Sequence, residues 1–202
     1  MIPRQIVIAT SIMLLVLIGL AVYAYQLKLR AERLQHHITD GRPIAPPVSG
    51  PTEPVTLIAA SDNDGNLYKV SVSAPMPAET SARARQIVRT LLDFYSNPAS
   101  PHHVPERSDV NAVYIVGDNL AVVDMNAAFA DTHASGILVE QLSVASIAQT
   151  LSANMPSIGR VKLLVDGHER ATLAGHADIK SVYDVAALNP FVNTGAASAS
   201  AK

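Results

Sequence analysis

Between Ile6 and Tyr25 the chain reads IVIATSIMLLVLIGLAVYAY, an apolar run with no charged side chain. About 20 residues rising 1.5 Å each cover the roughly 30 Å of a bilayer's hydrocarbon core. The run therefore predicts a transmembrane helix from Ile6 to Tyr25, with Arg4 before it, Lys28, Arg30 and Arg33 after it, and Tyr23 and Tyr25 at interfacial depth. A cleavable signal peptide is the alternative, because Val22 and Ala24 are small residues that could precede a cleavage point. The run exceeds the roughly 7–15 residues of a signal-peptide core, which favours a retained anchor. A count of positive charges would keep the C-terminal part inside the cell. The short basic N-terminal end favours the opposite orientation, and the expectation is a single-pass protein of the cytoplasmic membrane with its C-terminal domain extracytoplasmic, on the periplasmic side.

A chain of 202 residues that gives up an anchor, a linker and a tail keeps room for one domain with its own core. Expected boundaries are 1–27 for the anchor, 28–54 for a stalk and Pro-rich linker, 55–185 for the domain, and 186–202 for an Ala/Ser-rich disordered tail. The linker, DGRPIAPPVSGPTEP from Asp40 to Pro54, lacks backbone donors at its prolines and reads as a semi-rigid spacer. The tail NTGAASASAK has little to bury. Lys and Arg number 15 against 17 Asp and Glu, and no basic cluster interleaves with aromatics, so nucleic acid is not an expected partner. With no cysteine, disulfides, thiolate metal sites, a cysteine nucleophile and a lipidated cysteine are all ruled out.

Within the domain, Val55–Ala60 and Leu67–Val72 are β-rich segments around Asp62, Asn63, Asp64, Gly65 and Asn66, a hairpin. The acidic turn superficially suggests an EF-hand, but Gly65 comes too early and Ser73 stands where a bidentate Glu is needed. Thr80 or Ser81 is the expected cap of a helix burying Ala84, Ile87, Val88, Leu91, Leu92 and Tyr95 and turning Arg83, Arg85 and Arg89 to solvent. Ala112–Val116 and Leu120–Met125 predict a second hairpin. A second helix follows from Ile137 to Met155, with Val144, Ile147, Ala148, Leu151 and Met155 on its inner face and Pro156 as its stop. Arg160–Asp166 predicts a last strand. The order ββαββαβ gives an α/β (α+β) domain with two helices on one short sheet, and no phosphate loop of the dinucleotide-binding kind.

The segments VYIVGDNLAVVDMNAAFA, HASGILVEQLSVASIAQTLSANMPSIGRVKLLVDG and ATLAGHADI, between Val113 and Ile179, resemble the GerMN family of sporulation and spore germination. The resemblance rests on Asp124, Phe129, Gly136, Glu140, Gln149 with Thr150, Asp166, Gly167, Gly175, His176 and Asp178, and extends over about 55–182. It implies a small α/β domain of anchored or lipid-modified envelope proteins that assembles with homo-oligomeric or other envelope partners rather than catalyses. The physical chemistry of the individual residues points the same way. Gly136 and Gly167 are expected to meet backbone demands, Asp124 and Asp166 to fix turns, and Glu140 to favour a helix start.

A hydrolytic or ligand-binding domain acting on a cell-wall component is the competing reading, drawing on Asp124, Glu140, Asp166, His168 and His176 as acid and base groups. No G-x-S-x-G or H-E-x-x-H is present, and His102, His103, His133, His168 and His176 lack zinc spacing. Catalytic residues, cofactors and metals are accordingly expected to be none.

Overall fold

The computed structural model describes Tyr23 and residues 50–191. The expected membrane span apart from Tyr23, the stalk up to residue 49 and the tail from residue 192 lie outside the described residues. Among the described residues no helix is long and apolar enough to cross a membrane.

Strand β1 (Thr52–Ser61) pairs antiparallel with β2 (Asn66–Pro75) through the register Val55↔Val72, Leu57↔Val70 and Ala60↔Leu67. The turn between them closes where Gly65 N–H donates to the Ser61 carbonyl at 3.0 Å, and Gly65 supplies the required φ of +70°. Asp64 Oδ1 accepts from Asn66 N–H at 3.2 Å, ordinary Asx-turn chemistry.

Helix α1 (Thr80–Tyr95) is capped by Glu79, one residue before the first of the two expected caps. Glu79 is extended, at φ −74° and ψ 133°, and its carboxylate accepts from Ser81 N–H at 2.8 Å and Ala82 N–H at 2.5 Å. Thr80 and Ser81 are already helical, so neither caps it. The predicted apolar face is buried from Ala84 through Tyr95. The arginine face departs from expectation, because each guanidinium finds a partner within the fold. Arg83 pairs with Glu53, Arg85 Nε donates to the Val110 carbonyl at 3.0 Å, and Arg89 meets Asp109 Oδ2 at 2.8 Å.

Strands β3 (Val110–Val116) and β4 (Leu120–Met125) form the second antiparallel hairpin, with the register broken between Val110 and Ala112. A short helix α2 (Ala127–Asp131), capped by Asn126, follows and leads into helix α3 (Ile137–Asn154). Strand β5 (Arg160–Val165) returns parallel to β4, and β6 (Tyr183–Asp184) extends the sheet before a 3-10 helix at Val185–Phe191. The fold is α+β, but with two sheets, β1-β2 and β3-β4-β5-β6, rather than the single sheet expected.

The second sheet arises because no strand occupies the free edge of β1. Helix α3 occupies it instead, and this also overturns the one-sided burial expected of that helix. Every residue from Leu142 to Leu151 is buried, since the hairpin, α1 and the 3-10 helix all pack around α3. Met155 lies just past its end as the C-cap.

Candidate functional site

The signature residues assemble into separate knots, each built from a polar side chain and backbone donors. Glu140, in the first turn of α3, is fully buried. Its Oε2 accepts from the N–H groups of Ala174, His176 and Ala177 at 3.0, 3.0 and 2.8 Å. Its Oε1 accepts from Gly136 N–H at 3.1 Å and from His176 Nδ1 at 3.0 Å. Burial pushes this carboxyl toward protonation, but the bonds from Ala174, Ala177 and His176 outweigh it and hold the pKa down at about 2. Glu140, Gly136, Gly175 and His176 are thus brought together, with the carboxylate as the peg that fixes the 174–177 loop.

Gly136 itself needs no glycine freedom. Its φ of 164° is extended backbone, and an added Cβ would meet nothing nearer than the Val139 side chain at 4.0 Å. The expected backbone demand is therefore absent there. At Asp166 and Gly167 it is present. Both have positive φ, 49° and 76°, and Val165 and His168 exchange hydrogen bonds across them, the geometry of a two-residue primed turn. Asp124 Oδ1 accepts from Gly167 N–H at 2.7 Å, and Asn111 Nδ2 reaches Asp166 Oδ1 at 3.1 Å. Asp124, Asp166 and Gly167 thereby tie the ends of β3, β4 and β5. Asp178 stands apart, accepting from the backbone of Lys180 at 2.8 Å and the hydroxyl of Ser181 at 2.7 Å. Phe129 is a core residue whose ring meets His133 edge-on at 5.5 Å.

Thr150 belongs to a feature the sequence reading did not anticipate. Ser146, Thr150 and Asn154 repeat every four residues along α3 and meet the outward backbone groups of β1. Asn154 accepts from Thr56 N–H at 2.9 Å and donates to its carbonyl at 2.6 Å. Thr150 Oγ1 accepts from Ile58 N–H at 2.9 Å, and Ser146 Oγ donates to the Ile58 carbonyl at 2.7 Å. Tyr95 completes the row, its hydroxyl accepting from Ala60 N–H at 2.7 Å and donating to Ser146 Oγ. The match is metric: four helical residues rise about 6.0 Å and two strand residues about 6.7 Å. Three polar residues spaced i, i+4, i+8 along the helix were the available signal.

A second unanticipated cluster lies behind the β1–β2 turn. Asp62 Oδ1 is 2.6 Å from His102 Nδ1, and His102 Nε2 is 2.8 Å from Ser143 Oγ. This has the order carboxylate, imidazole, hydroxyl of a hydrolytic triad. Ser143, however, is 1% exposed, and its Oγ also meets His133 Nε2 at 2.8 Å and the Val139 carbonyl at 3.2 Å. The hydroxyl is a buried junction, closed to substrate. Among the described residues no three His, Asp or Glu side chains gather as metal ligands.

The outer face of the four-stranded sheet is different in kind. Tyr114 and Val116 are 54% and 51% exposed. They sit opposite Val122 and Leu120 in the register, and Leu164 lies beyond Asp124 on β5. Leu120, Val122 and Leu164 are half-buried. Toward β5, Lys162 is drawn down by the Lys180 carbonyl and by Glu169 at 3.1 Å, and Arg160 is held on Asn119 Oδ1 at 2.9 Å. The surface-facing side of this sheet thus carries apolar side chains where an open antiparallel sheet ordinarily carries polar ones.

A family model described as "Germane: Sporulation and spore germination" matches residues 55–171, more than half of the chain. The chain belongs to this family. The Germane match spans β1 through the turn after β5, so it contains Asp124, Glu140, Thr150 and the Asp166–Gly167 turn, while the loop that Glu140 pegs lies beyond it. Among solved structures, the first GerMN domain of the sporulation protein GerM from Bacillus subtilis is 25% identical, with 64% of this chain and 95% of that one covered and a TM-score of 0.46. The tandem GerMN domains of the same protein give 25% identity, 64% and 45% coverage and a TM-score of 0.47. A candidate lipoprotein from Clostridium perfringens is 16% identical, with 76% and 100% coverage and a TM-score of 0.47. No curated protein matches the sequence.

Proposed function

We propose that this Germane-family chain is a non-enzymatic, membrane-anchored envelope protein whose domain mediates protein assembly on the extracytoplasmic side of the cytoplasmic membrane. The observation that carries the reading is the outer face of the four-stranded sheet, where Tyr114 and Val116 are exposed beside Leu120, Val122 and Leu164. Contiguous exposed apolar surface rimmed by polar groups is what interaction surfaces present. The polar chemistry supports the reading from the other side. Glu140, Asp124, Thr150 and Ser143 are spent on internal bonds, which leaves assembly a better use of the surface than catalysis. The apolar run from Ile6 to Tyr25 supplies the anchor in this scheme. Confining copies to two dimensions raises their effective concentration without new contacts.

A photoreactive amino acid placed at Tyr114 in the full chain, in native membranes, should give crosslinked adducts, whereas the same residue at exposed Lys69 on β2 should give few. Equal yields at the two positions, or monomer alone at Tyr114, would count against assembly through this face.

A further inference from the structure

Four side chains from four separate segments meet beside the β1–β2 turn, three of them buried and Asp62 at the surface. Asp62 comes from that turn, His102 from the 96–109 connection between α1 and β3, His133 from the connection between α2 and α3, and Ser143 from α3 itself. His102 and His133 are 0% and 6% exposed, and Ser143 1%. The contacts form one unbroken line. Asp62 Oδ1 is 2.6 Å from His102 Nδ1, His102 Nε2 is 2.8 Å from Ser143 Oγ, Ser143 Oγ is 2.8 Å from His133 Nε2, and His133 Nδ1 is 2.8 Å from the Ala134 carbonyl.

Counting protons along this line leaves few arrangements. The Ala134 carbonyl only accepts, so His133 Nδ1 bears a proton, and a neutral His133 then presents a bare Nε2 that must accept from Ser143. The Asp62 carboxylate likewise only accepts, so His102 Nδ1 bears a proton. Were His102 neutral, its bare Nε2 would also need the hydroxyl proton of Ser143. A serine has one such proton and two lone pairs, and the Val139 carbonyl at 3.2 Å is a third acceptor on the same oxygen. With both rings neutral, one buried nitrogen faces an oxygen that cannot donate to it. With both rings charged, two imidazoliums share the interior with a single adjacent carboxylate. One extra proton on either ring completes this line, and on His102 it lies 2.6 Å from the Asp62 carboxylate: His102 then donates to Asp62 and to Ser143, Ser143 donates to His133 in place of the Val139 carbonyl, and His133 donates to Ala134.

We propose that this cluster is a proton-operated latch, in which a doubly protonated His102 fastens the 96–109 connection to the β1–β2 turn on one side and to α3 on the other. The surroundings fit one charge at this position. His133 is kept neutral by burial, reinforced by the neighbouring His102, against the opposing pull of the Ala134 carbonyl, Glu140 and Asp62. From α1, the Tyr95 ring packs edge-on against His102 at 4.8 Å, and its hydroxyl, whose ionisation burial opposes, is committed to Ala60 and Ser146. From α3, Glu140 stands one turn before Ser143, its carboxylate bonded to the 174–177 loop. The adjacent His103 is exposed. The backbone adds a strut at the same point, Asp62 N–H donating to the Pro101 carbonyl at 2.9 Å.

Loss of the proton has a defined consequence. His102 Nε2 becomes bare and competes with His133 for one hydroxyl proton, so a buried hydrogen bond disappears and the 96–109 connection is released from α3.

The test is long-range proton–nitrogen NMR on the full-length chain in detergent micelles, with histidine alone labelled in nitrogen-15 and the two rings assigned from His102→Gln and His133→Gln. At neutral pH both nitrogens of His102 should be protonated, while His133 should carry a proton on Nδ1 only. Raising the pH should remove the Nε2 proton of His102 and, in a second sample labelled uniformly with nitrogen-15, shift the amides of Asp62, the non-proline residues of 96–109 and Ser143 along the same curve. A bare His102 Nε2 at neutral pH would overturn the proposal, as would amides that ignore its titration. Asp62→Asn should reduce His102 to one proton at neutral pH; retention of both would show that the carboxylate does not hold the charge and would overturn it equally. Should that variant not fold, the wild-type titration decides alone.

Discussion

Thr150 Oγ1 accepts a hydrogen bond from the backbone N–H of Ile58 at 2.9 Å, across 92 residues of sequence. The contact stands where a neighbouring strand's carbonyl would stand in a larger sheet. Replacing Thr150 by Val preserves the shape of the side chain and removes the acceptor, leaving a buried N–H without a partner. Such a group costs about 1–3 kcal/mol. Urea unfolding of Thr150→Val should show a midpoint lowered by that amount at unchanged slope. A midpoint equal to wild type would mean that water replaces the hydroxyl and the strand edge is less closed than described.

Leu91 and Leu151 are completely buried, on α1 and α3 respectively. A carboxylate at either position has no partner, and an uncompensated buried charge costs several kcal/mol, a large share of the 5–15 kcal/mol that holds a typical domain. Leu91→Asp and Leu151→Asp should therefore abolish the folded circular dichroism spectrum. His176→Ala removes one of five bonds to Glu140 from a side chain that is 43% exposed, and should remain folded with a loss of about 1 kcal/mol.

Acid should loosen the domain in a defined order. His133 is held neutral by burial, so its folded form binds protons less readily than the unfolded chain, and stability falls as pH drops through the usual imidazole range near 6.5. Glu140 is depressed from 4.5 to about 2. Its contribution, on the order of 3 kcal/mol, is complete above the usual carboxylate range and is lost as pH falls toward 2. Glu140→Gln, in which an amide nitrogen must face backbone donors, should be destabilised at neutral pH and should show a flatter acid limb. Melting temperature against pH for the two proteins checks both statements.

Placement of the domain outside the cytoplasmic membrane can be read with one thiol. The chain has no cysteine, so Ser198→Cys provides a unique target. A membrane-impermeant maleimide, with any outer membrane permeabilised, should label it in intact cells. Labelling that appears only after the inner membrane is broken would place the domain in the cytoplasm and remove the envelope reading with it.

The elements legible in the sequence were those whose cause is local. The face from Ala84 to Tyr95 follows from helical period, the turn at Gly65 from glycine chemistry, and the β3–β4 hairpin from two β-rich segments flanking Gly117, Asp118 and Asn119. Less was visible wherever the cause is distant. The stripe Ser146, Thr150 and Asn154 looks like tolerated polarity until the edge of β1 is laid beside it. Asp62, His102, His133 and Ser143 have no common period, and nothing local announces that they meet. Glu140 was marked as a favourable helix-start residue, but its principal partners lie more than 30 positions later, at Ala174, His176 and Ala177. The α3 helix misled in the opposite direction, because a one-sided apolar face was assigned to a helix that is enclosed on all sides.

The zipper between α3 and β1 also sets a schedule. The residues it joins are separated by 88 to 98 positions, so while the chain is being made the edge at Thr56 and Ile58 stays open until the segment from Ser146 to Asn154 emerges. At roughly 5–20 residues per second, that interval is on the order of 5–20 s. During it the β1–β2 hairpin presents the bare amides of Thr56 and Ile58 to whatever else is nearby.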